Sequence, residues 1–502
     1  MVRRRLVPPL PADRWSSWLA TAVVVAIAAI LRLVGLSSPK GKIFDETYYA
    51  TEADELLHHG VEWKPESNTG DFVVHPPLGK WIIAVGEKLF GYHEFGWRIA
   101  AAVFGILSVL IVIRLARRLF GSTVLGCAAG LLMALDGMEF VLSRSALLDI
   151  FLMTFLLAAF ACLVMDREQR RRRWLRQMEA GLDPSRPGRA GRPTFTFWRG
   201  VPWWRLAAGV LTGCAMAVKW SALWYILGFV ILIYLWEAGA RRSAGARRPW
   251  RDTILDETGW VLLFGVLIVA VYLASWSGWF ASDAGWDRHW LATQGSSEPP
   301  VIGPLINLWH YHQEALNFHT HLTTHHTYQS WPWQWLLLGR PVAFYWSGDG
   351  PCGAAQCASE VLLLGTPVLW WSFLPALAGL AWFGISRRDW RALAIGLGVV
   401  VGIVPWFNYE LSDRTMFYFY ALPAEPFLIL AVVYVLGAIM RPARAVDWRF
   451  GIPDRHLVGA LVAAVYVLAV AACFAYFYPI YTAKVMTYAQ WWARMWLGTR
   501  WV

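Results

Sequence analysis

The sequence predicts an all-α polytopic membrane protein, and composition, long apolar runs and a one-sided distribution of basic residues all favour that fold class. Of the 502 residues, 57% are hydrophobic and only 16% are charged. The mean hydropathy of +0.42 is too high for an ordinary soluble domain. A helix of about 20 apolar residues is needed to cross a bilayer, and runs of that kind recur from residues 18–36 to 457–477.

About eleven apolar stretches are predicted to span the membrane as helices. They lie near residues 17–36, 96–115, 121–138, 146–165, 205–219, 221–238, 258–278, 361–385, 392–409, 419–440 and 457–477. The first stretch carries Arg32 and has no small-residue cleavage site behind it. We therefore predict a retained span there and not a signal peptide.

The net charge of +11 is distributed in a way that favours a membrane and not nucleic acid. Basic residues concentrate in short breaks between spans, and the segment 166–204 alone holds ten arginines. By contrast, Arg288 and Arg340 are the only basic residues of the segment 281–360. The positive-inside rule then predicts a multi-pass protein of the plasma membrane with a cytoplasmic N-terminus and an extracytoplasmic C-terminus.

The chain reads as a single transmembrane domain, 1–502, with three long connections. Residues 37–95 form a first outer loop, and residues 279–360 form a large outer loop with a predicted surface helix near 305–328. Residues 166–204 form a basic cytoplasmic loop. Its stretch 167–199 is predicted to be partly disordered because it is rich in arginine, proline and glycine.

The first outer loop offers two candidate groups of polar side chains. Asp45 and Glu46 follow the first span in "IFDETYYA", and they are either a general base with a neighbouring acid or a helix N-cap with a first-turn acid. His75 and Lys80 lie in "HPPLGK", where two prolines stop a helix. That motif either returns the chain rigidly to the membrane or holds both side chains toward a site.

Four cations are predicted near the outer ends of spans: Arg98, Arg144, Lys219 and Arg414. A single arginine or lysine at such a depth commonly extends its charge toward the headgroups. Four on one side, beside spare carboxylates, favour a phosphate site, because the planar guanidinium binds phosphate through two hydrogen bonds. A phosphate linked to a lipid would lie at that height in the membrane.

The large outer loop contains histidines, tryptophans and two cysteines. His321 and His325 have the i,i+4 spacing of a helical metal pair, but no glutamate completes an HExxH motif, so polar contacts to substrate or lipid are favoured over a metal. Trp331 and Trp333 in "SWPWQW" suit a surface wall or a sugar platform. The pair in "CGAAQC", Cys352 and Cys357, is a candidate disulfide outside the cytoplasm.

Taken in order, these motifs resemble the protein O-mannosyltransferases, in particular the bacterial members that depend on polyprenol-phosphate-mannose. The resemblance covers most of the chain through "FDETYYA", "HPPLGK", Trp97-Arg98, "SRSALLD", "AVKWSALW", "SWPWQW" and "RTMFYFYALPAEPF". Eukaryotic members carry a trefoil MIR domain in the large outer loop. The segment 279–360 is too short to hold one, which is similar to the actinobacterial form.

The resemblance implies a GT-C membrane glycosyltransferase that transfers mannose from polyprenyl phosphate mannose to Ser or Thr hydroxyls of secreted or membrane proteins, with inversion. It implies Asp45 as the general base, and Glu46 as a group that positions the acceptor or the cations. Donor-binding candidates are Arg98, Lys219, Arg414, His75 and Lys80, whereas Arg144 is expected to pair with Asp149. His321, His325, Trp331 and Trp333 are candidates for acceptor or sugar contacts.

The expected ligands are the lipid-linked sugar as co-substrate, a secretory polypeptide and membrane lipids, with no metal, no other cofactor and no nucleic acid. The Sec translocon is a candidate partner. Two alternatives stay open at this stage. One is a GT-C enzyme that moves another lipid-linked sugar to a glycan or lipid, and the other is an anion transporter, against which no repeated pair of broken helices is visible.

Overall fold

The protein is mostly helical, with a few short strands near one end of a helical bundle. The computed structural model describes residues 6–7, 14–185, 200–440 and 455–502. Helices in the first part are α1 (Trp15–Leu33), α2 (Glu46–His59), α3 (Leu78–Phe90), α4 (Glu94–Phe120), α5 (Thr123–Ala134), α6 (Gly137–Leu142), α7 (Asp149–Glu179), α8 (Trp203–Val218), α9 (Ala222–Ala244) and α10 (Pro249–Ser275).

The second part has short helices between its spans. In chain order, the helices of this part are α11 (Ser277–Ala281), α12 (Trp290–Thr293), α13 (Ile302–His321), α14 (Pro332–Trp335), α15 (Pro367–Arg387), α16 (Trp390–Ile403), α17 (Trp406–Glu410), α18 (Glu425–Ile439), α19 (Arg455–Tyr481) and α20 (Tyr488–Trp492). The 3-10 helices are Tyr418–Ala424 and Gly498–Arg500. The strands are β1 (Trp63–Lys64), β2 (Thr69–Gly70), β3 (Val342–Ser347), β4 (Cys357–Leu363) and β5 (Met486–Thr487).

Nine segments of the described residues are helical, long and apolar enough to cross a membrane. They are α1, α4, α7, α9, α10, α15, α16 with α17, the first 3-10 helix with α18, and the part of α19 from Leu457 to Tyr481. Two shorter apolar helices, α5 and α8, have 12 and 16 residues. A helix thus lies at each predicted position and a multi-pass membrane protein is confirmed, while the count of eleven crossings stays a prediction.

The helices α7 and α18 form the centre of the bundle. In each of these spans 78% of the most apolar stretch is buried, against 17% in α10, which therefore lies at the periphery. Helix α7 packs against α4, α8, α9 and the 3-10 helix Tyr418–Ala424. Because α7 traverses the bundle, it connects the two faces: it begins at Asp149 on one and ends at Glu179 on the other.

The prediction of a partly disordered loop over residues 167–199 is wrong for its first part. Helix α7 continues to Glu179, well beyond the predicted end of the span at residue 165. Arg170 in this continuation is held by carboxylates of a neighbouring helix pair: its Nε lies 2.9 Å from Glu237 in α9, and its terminal nitrogen contacts Glu257 in α10. Residues 186–199, and residues 441–454 of a further basic break, lie outside the described residues.

The segments 37–95 and 279–360 pack on each other at one end of the bundle, which we call the site face. The hydroxyl of Tyr311 in α13 donates to the Val73 carbonyl at 2.8 Å and accepts from the Val73 amide at 3.0 Å. A small apolar core joins the two segments and consists of Val61, Trp276, Trp279, Leu308 and Tyr311. The two segments therefore form one layer over the helices.

An antiparallel sheet in this layer was not predicted. Strand β4 pairs with β3, with Val342 opposite Leu363, and with β5, with Cys357 opposite Thr487. The predicted span 361–385 thus starts too early, because the aliphatic run before residue 364 pairs as a strand and α15 begins only at Pro367. The C-terminal segment packs on the same layer.

The two ends of the described chain lie on opposite faces. On the site face, the Trp501 indole donates to the Leu338 carbonyl at 2.7 Å. At the other end of the bundle, Arg171 Nε donates to the Leu6 carbonyl at 2.9 Å. We call that end the arginine face, because it holds the arginine-rich second half of α7.

Candidate active site

Asp45 lies at the N-terminus of α2 without capping it. Its carboxylate accepts no hydrogen bond from the first turn, although the position itself is the N-cap expected from the sequence. The preceding Phe44 has a φ of +47°, a conformation that bulky residues rarely adopt. The Phe44 ring stacks on Phe344 at 4.5 Å and meets Phe417 edge-on at 6.1 Å. This packing holds the turn that leaves the carboxylate available.

Burial raises the pKa of Asp45 to about 6. The nearby charge of Lys219 opposes that shift, and the carboxylates of Asp149 and Glu52 add to it. A carboxylate whose pKa lies near neutrality can exchange a proton under physiological conditions, which is what a general base requires.

Glu46 is fully buried and forms a bidentate ion pair with Arg98, with both contacts at 2.8 Å. Its oxygens also accept from the Ile43 and Ala146 amides, each at 3.0 Å. Arg98 donates its other N–H groups to the carbonyls of Leu36, Pro39 and Gly41 at 3.2, 2.8 and 3.0 Å. All five guanidinium donors are used, so the geometry argues against the predicted contact of Arg98 with donor phosphate and favours an anchoring role for Glu46.

Lys80 is likewise enclosed by acids. Its buried ammonium lies 3.2 Å from Glu52 and contacts Glu62. Burial lowers the pKa of Lys80, but the charges of Glu62 and Glu52 outweigh burial, and the pKa is raised overall. Lys80 does not line the cavity whose wall contains Lys219 and Arg414, which is described next, so the structure gives no support to the donor-binding role predicted for Lys80.

The cavity on the site face has a volume of about 220 Å³ and contains two cations in its wall, Lys219 and Arg414. Lys219 lies in the extended break between α8 and α9 and donates to both oxygens of Asp149 at 3.0 and 2.9 Å. The expected pair of Arg144 with Asp149 is therefore wrong. Arg144 instead donates to carbonyls at the end of α1, among them those of Arg32 at 2.8 Å and Gly35 at 2.7 Å.

Arg414 retains hydrogen-bonding capacity toward the cavity. Its Nε donates to the His319 carbonyl at 2.6 Å and one terminal nitrogen donates to the Thr415 carbonyl at 3.3 Å. The guanidinium lies 5.5 Å from the ring of Tyr409 and 5.8 Å from that of Tyr420. Within the part of the chain that the structure describes, no carboxylate forms an ion pair with it, so its remaining donors can bind a phosphate.

Two histidines line the same cavity as neutral groups. The ring of His75 lies 5.2 Å from that of His319. Burial lowers the pKa of His75 well below its usual value, and the charge of Lys219 lowers it further. Burial also lowers the pKa of His319 to about 4. Both can therefore exchange hydrogen bonds with a ligand without adding positive charge.

The sequence did not single out His319, and it gave Asp149 only as a partner of Arg144 and not of the cavity cation Lys219. His319 is one of six histidines in a short segment, and its position inward on α13 depends on the contact of its Nε2 with the Val74 carbonyl at 3.0 Å. The cavity wall also includes Trp406 and Tyr420. The aromatic motif around Tyr420 was the one sequence signal for these wall residues, but the spacing of aromatic residues does not show which rings face a cavity.

None of the four residues predicted to contact acceptor or sugar lines this cavity. Helix α13 ends at His321, so His325 follows outside it and the two do not share a helical face. Both histidines and Trp333 are exposed, and Trp331 is half-buried at the start of α14. Among the described residues there is no group of three side chains able to hold a metal ion. Contact with an acceptor stays a prediction for all four.

Cys352 and Cys357 form a disulfide, with Cα atoms 5.7 Å apart. The bridge closes the turn between β3 and β4 and lies in an exposed part of the site face.

Two family models match the chain. "Dolichyl-phosphate-mannose-protein mannosyltransferase" matches residues 74–181, and "C-terminal four TMM region of protein-O-mannosyltransferase" matches residues 304–501. The polyprenol-phosphate-mannose–protein mannosyltransferase of Mycolicibacterium smegmatis is 41% identical over 98% of this chain and 95% of its own length. The protein of the same name from Mycobacterium tuberculosis is 38% identical over 97% and 92%.

A solved structure shares the fold at much lower identity. The S. cerevisiae protein O-mannosyltransferase Pmt1-Pmt2 complex bound to the sugar donor has a TM-score of 0.72 and 15% identity, covering 100% of this chain and 94% of that one. The fold predicted from the motifs, a GT-C membrane bundle, is thereby confirmed. With the identity and coverage of the mycobacterial relatives, the chain belongs to the polyprenol-phosphate-mannose–protein mannosyltransferase family.

Proposed function

We propose that this protein transfers mannose from polyprenyl phosphate mannose to Ser or Thr hydroxyls of proteins, with Asp45 as the general base. The names of the relatives supply the donor and the class of acceptor. One observation supports the site above all: the Asp45 carboxylate does not cap α2. It lies within electrostatic reach of Lys219, a cation in the wall of the cavity that also holds Arg414.

In this mechanism the acceptor oxygen attacks the anomeric carbon of mannose while the bond from that carbon to the phosphate oxygen breaks. The hydroxyl proton passes to Asp45, and polyprenyl phosphate leaves with two negative charges. A single displacement inverts the anomeric centre. A hydroxyl is a weak nucleophile until a base accepts its proton, and such a base contributes roughly 10²–10⁴ in rate.

The departing phosphate would be stabilised by Arg414 and Lys219. Preorganised donors in a site with little water stabilise developing charge strongly. Arg414 has unused donors, and Lys219 is already held by Asp149. His75 and His319 would complete the pocket as neutral hydrogen-bonding groups. The lipid-linked sugar is the co-substrate, and neither a metal nor another cofactor takes part in the proposed reaction.

The site face is proposed to be extracytoplasmic, at the plasma membrane. The arginine-rich half of α7 lies at the other end of the bundle, and the positive-inside rule assigns such an end to the cytoplasm. Leu6 packs there, whereas Trp501 packs on the site face. This orientation presents the site to secretory polypeptides, which keeps the Sec translocon a candidate partner.

The test is mannosyl transfer by the purified protein reconstituted in liposomes. Labelled mannosyl-phosphoryl-polyprenol would be supplied with a Ser/Thr peptide, and in a parallel arm with a glycan acceptor. We expect peptide labelling by the wild type and loss of labelling by Asp45→Asn. Asp54→Asn, on the same helix α2, is the matched control and should retain transfer. Labelling of the glycan alone would contradict the proposed acceptor, and transfer by Asp45→Asn would remove Asp45 as the base.

A further inference from the structure

A second cavity lies on the arginine face, remote from the proposed transfer site. Its volume is about 510 Å³, and seven arginines line it against one glutamate and one aspartate. The walls come from the end of α4, the second half of α7 and the junction between α15 and α16, with Leu6 and Val7 at one side. Such a concentration of one charge sign attracts anions.

The two acids of this cavity already have basic partners. Glu168 lies 3.0 Å from Arg118 and 3.7 Å from Arg172. Asp389 accepts from Arg391 Nε at 2.9 Å. Arg167, Arg387 and Arg388 also line the cavity, and among the described residues neither of its acids forms an ion pair with them.

Arg167 is the most informative of them. Its side chain is buried, with 7% exposed, and its Nε makes no hydrogen bond. In the described part of the chain its contacts are with two indole rings, Trp390 at 3.4 Å and Trp236 at 5.8 Å from the guanidinium carbon. Stacking leaves the in-plane N–H donors without acceptors, and an anion in the cavity would accept from them.

Neighbouring arginines on the same face show the opposite arrangement. Arg205 lies 2.8 Å from Asp166 and 2.8 Å from Glu257. Arg241 lies 3.1 Å from Glu237. The protein thus pairs buried arginines with carboxylates where α7 meets α8, α9 and α10. Among the described residues no carboxylate forms such a direct pair with Arg167, on which the charges of Glu168 and Asp389 act only at longer range. The positive charge of the cavity is local.

The spacing between this cavity and the transfer site along α7 matches the thickness of a membrane. Asp149 in the transfer site and Arg167 are 18 residues apart (167 − 149) on α7. At 1.5 Å per residue this is about 27 Å, close to the roughly 30 Å of a hydrocarbon core. The cavity wall combines its arginines with apolar side chains, among them Leu119 and Phe120.

We infer that this cavity is a second anion site, which binds the phosphate group of an anionic phospholipid headgroup or a free phosphate. Arg167, stacked on Trp390, donates to the phosphate oxygens, and the exposed Arg387 and Arg388 at the junction of α15 and α16 add donors at the rim. The site is separate from the one that holds the donor phosphate, so it works independently of the proposed mannosyl transfer.

The test measures binding to the full-length protein in a neutral detergent. Short-chain phosphatidylglycerol, short-chain phosphatidylcholine and inorganic phosphate would be titrated separately and followed by native mass spectrometry. One variant is Arg167→Gln, at a buried position. The second is the rim pair Arg387→Gln/Arg388→Gln, which we expect to fold normally because both residues are exposed. Arg242→Gln is the matched control, because it is exposed on the same face and does not line the cavity.

We expect phosphatidylglycerol to bind the wild type and the Arg242→Gln control equally well, and each cavity variant about tenfold more weakly, as for the loss of a charged hydrogen bond. Binding of inorganic phosphate that is weakened in the cavity variants would assign the site to free phosphate as well, whereas binding of phosphatidylglycerol alone would assign it to a headgroup. Equal binding of phosphatidylglycerol and phosphatidylcholine without phosphate binding would overturn the inference. So would binding by both cavity variants at the level of the control.

Discussion

Lys219 donates to both carboxylate oxygens of Asp149, at 3.0 and 2.9 Å, and thereby joins the break between α8 and α9 to the start of α7. The pair is buried, since Lys219 is 8% exposed and Asp149 is 2% exposed. The ammonium also lies 5.0 Å from the ring centroid of Tyr420 in the cavity wall. Lys219 is therefore both a structural partner and a cation of the proposed site, and these two roles can be separated by substitution.

Replacing Lys219 by methionine should destabilise the protein and abolish transfer. The substitution leaves Asp149 buried without a cationic partner, which costs about 3–5 kcal/mol in free energy of unfolding. The double variant Lys219→Met/Asp149→Leu removes both charges and should recover much of that stability without recovering transfer. Thermal unfolding in detergent and the peptide assay provide the two measurements. A double variant as unstable as the single one would contradict the role of this pair.

The pH dependence of transfer should follow the ionisation of Asp45. Burial raises the pKa of this carboxyl to about 6, and a general base acts only when it is ionised. We therefore expect kcat/KM to fall as the pH drops through about 6 and to level off above about pH 7. Initial rates between pH 5 and 8 check this. A flat profile would contradict the assignment.

The raised pKa of Asp45 also makes the stability of the fold depend on pH, but in the opposite direction: transfer rises with pH, whereas stability falls. The folded-state pKa lies above the unfolded value of 3.8, so the folded protein binds more protons between about pH 4 and 6. The contribution of Asp45 to stability is fully present below the unfolded pKa and is lost as the pH rises through about 6. Asp45→Asn should remove that part of the pH dependence of unfolding.

Helical spans and the placement of Asp45 were predictable because both follow from local sequence. Whether Asp45 caps its helix was not, since that depends on Phe44 packing against Phe344, three hundred positions away. The expected pair of Arg144 with Asp149 failed for a related reason. Arg144 lies in the turn between α6 and α7, where it reaches carbonyls at the end of α1, and the actual partner of Asp149 is Lys219, at a sequence separation of 70.

Arg414 should be required for the departure of the donor phosphate. Arg414→Gln removes one preorganised cationic donor, which typically lowers kcat by about 10²–10³, and KM for the lipid-linked donor should rise as well. Arg414→Lys keeps the positive charge without the bidentate geometry, so its kcat should lie between those of the wild type and of Arg414→Gln. The exposed Arg500→Gln on the site face is the control and should match the wild type. Normal kcat and KM in Arg414→Gln would remove it from the site.

Glu46 and Asp45 are adjacent, but removing their charges should have different effects: loss of the Glu46 charge should lower stability, whereas loss of the Asp45 charge should abolish transfer. Glu46→Gln leaves Arg98 buried with only neutral partners, and we expect a loss of about 3–5 kcal/mol in free energy of unfolding. Activity should then fall in proportion to the folded fraction, and the folded molecules should retain transfer at low temperature. Asp45→Asn should instead be at least as stable as the wild type at neutral pH, because it removes a buried charge, and it should lack transfer at every temperature.

The paired measurements of unfolding and transfer distinguish an anchor from a catalytic group. Arg98→Met should reproduce the instability of Glu46→Gln, because it leaves the buried carboxylate of Glu46 without its cation. A Glu46→Gln protein with wild-type unfolding and no transfer would instead give Glu46 a direct part in the reaction, such as the positioning of the acceptor that the resemblance implies. The bidentate pair with Arg98, closed on all sides by backbone donors and acceptors, favours the anchor.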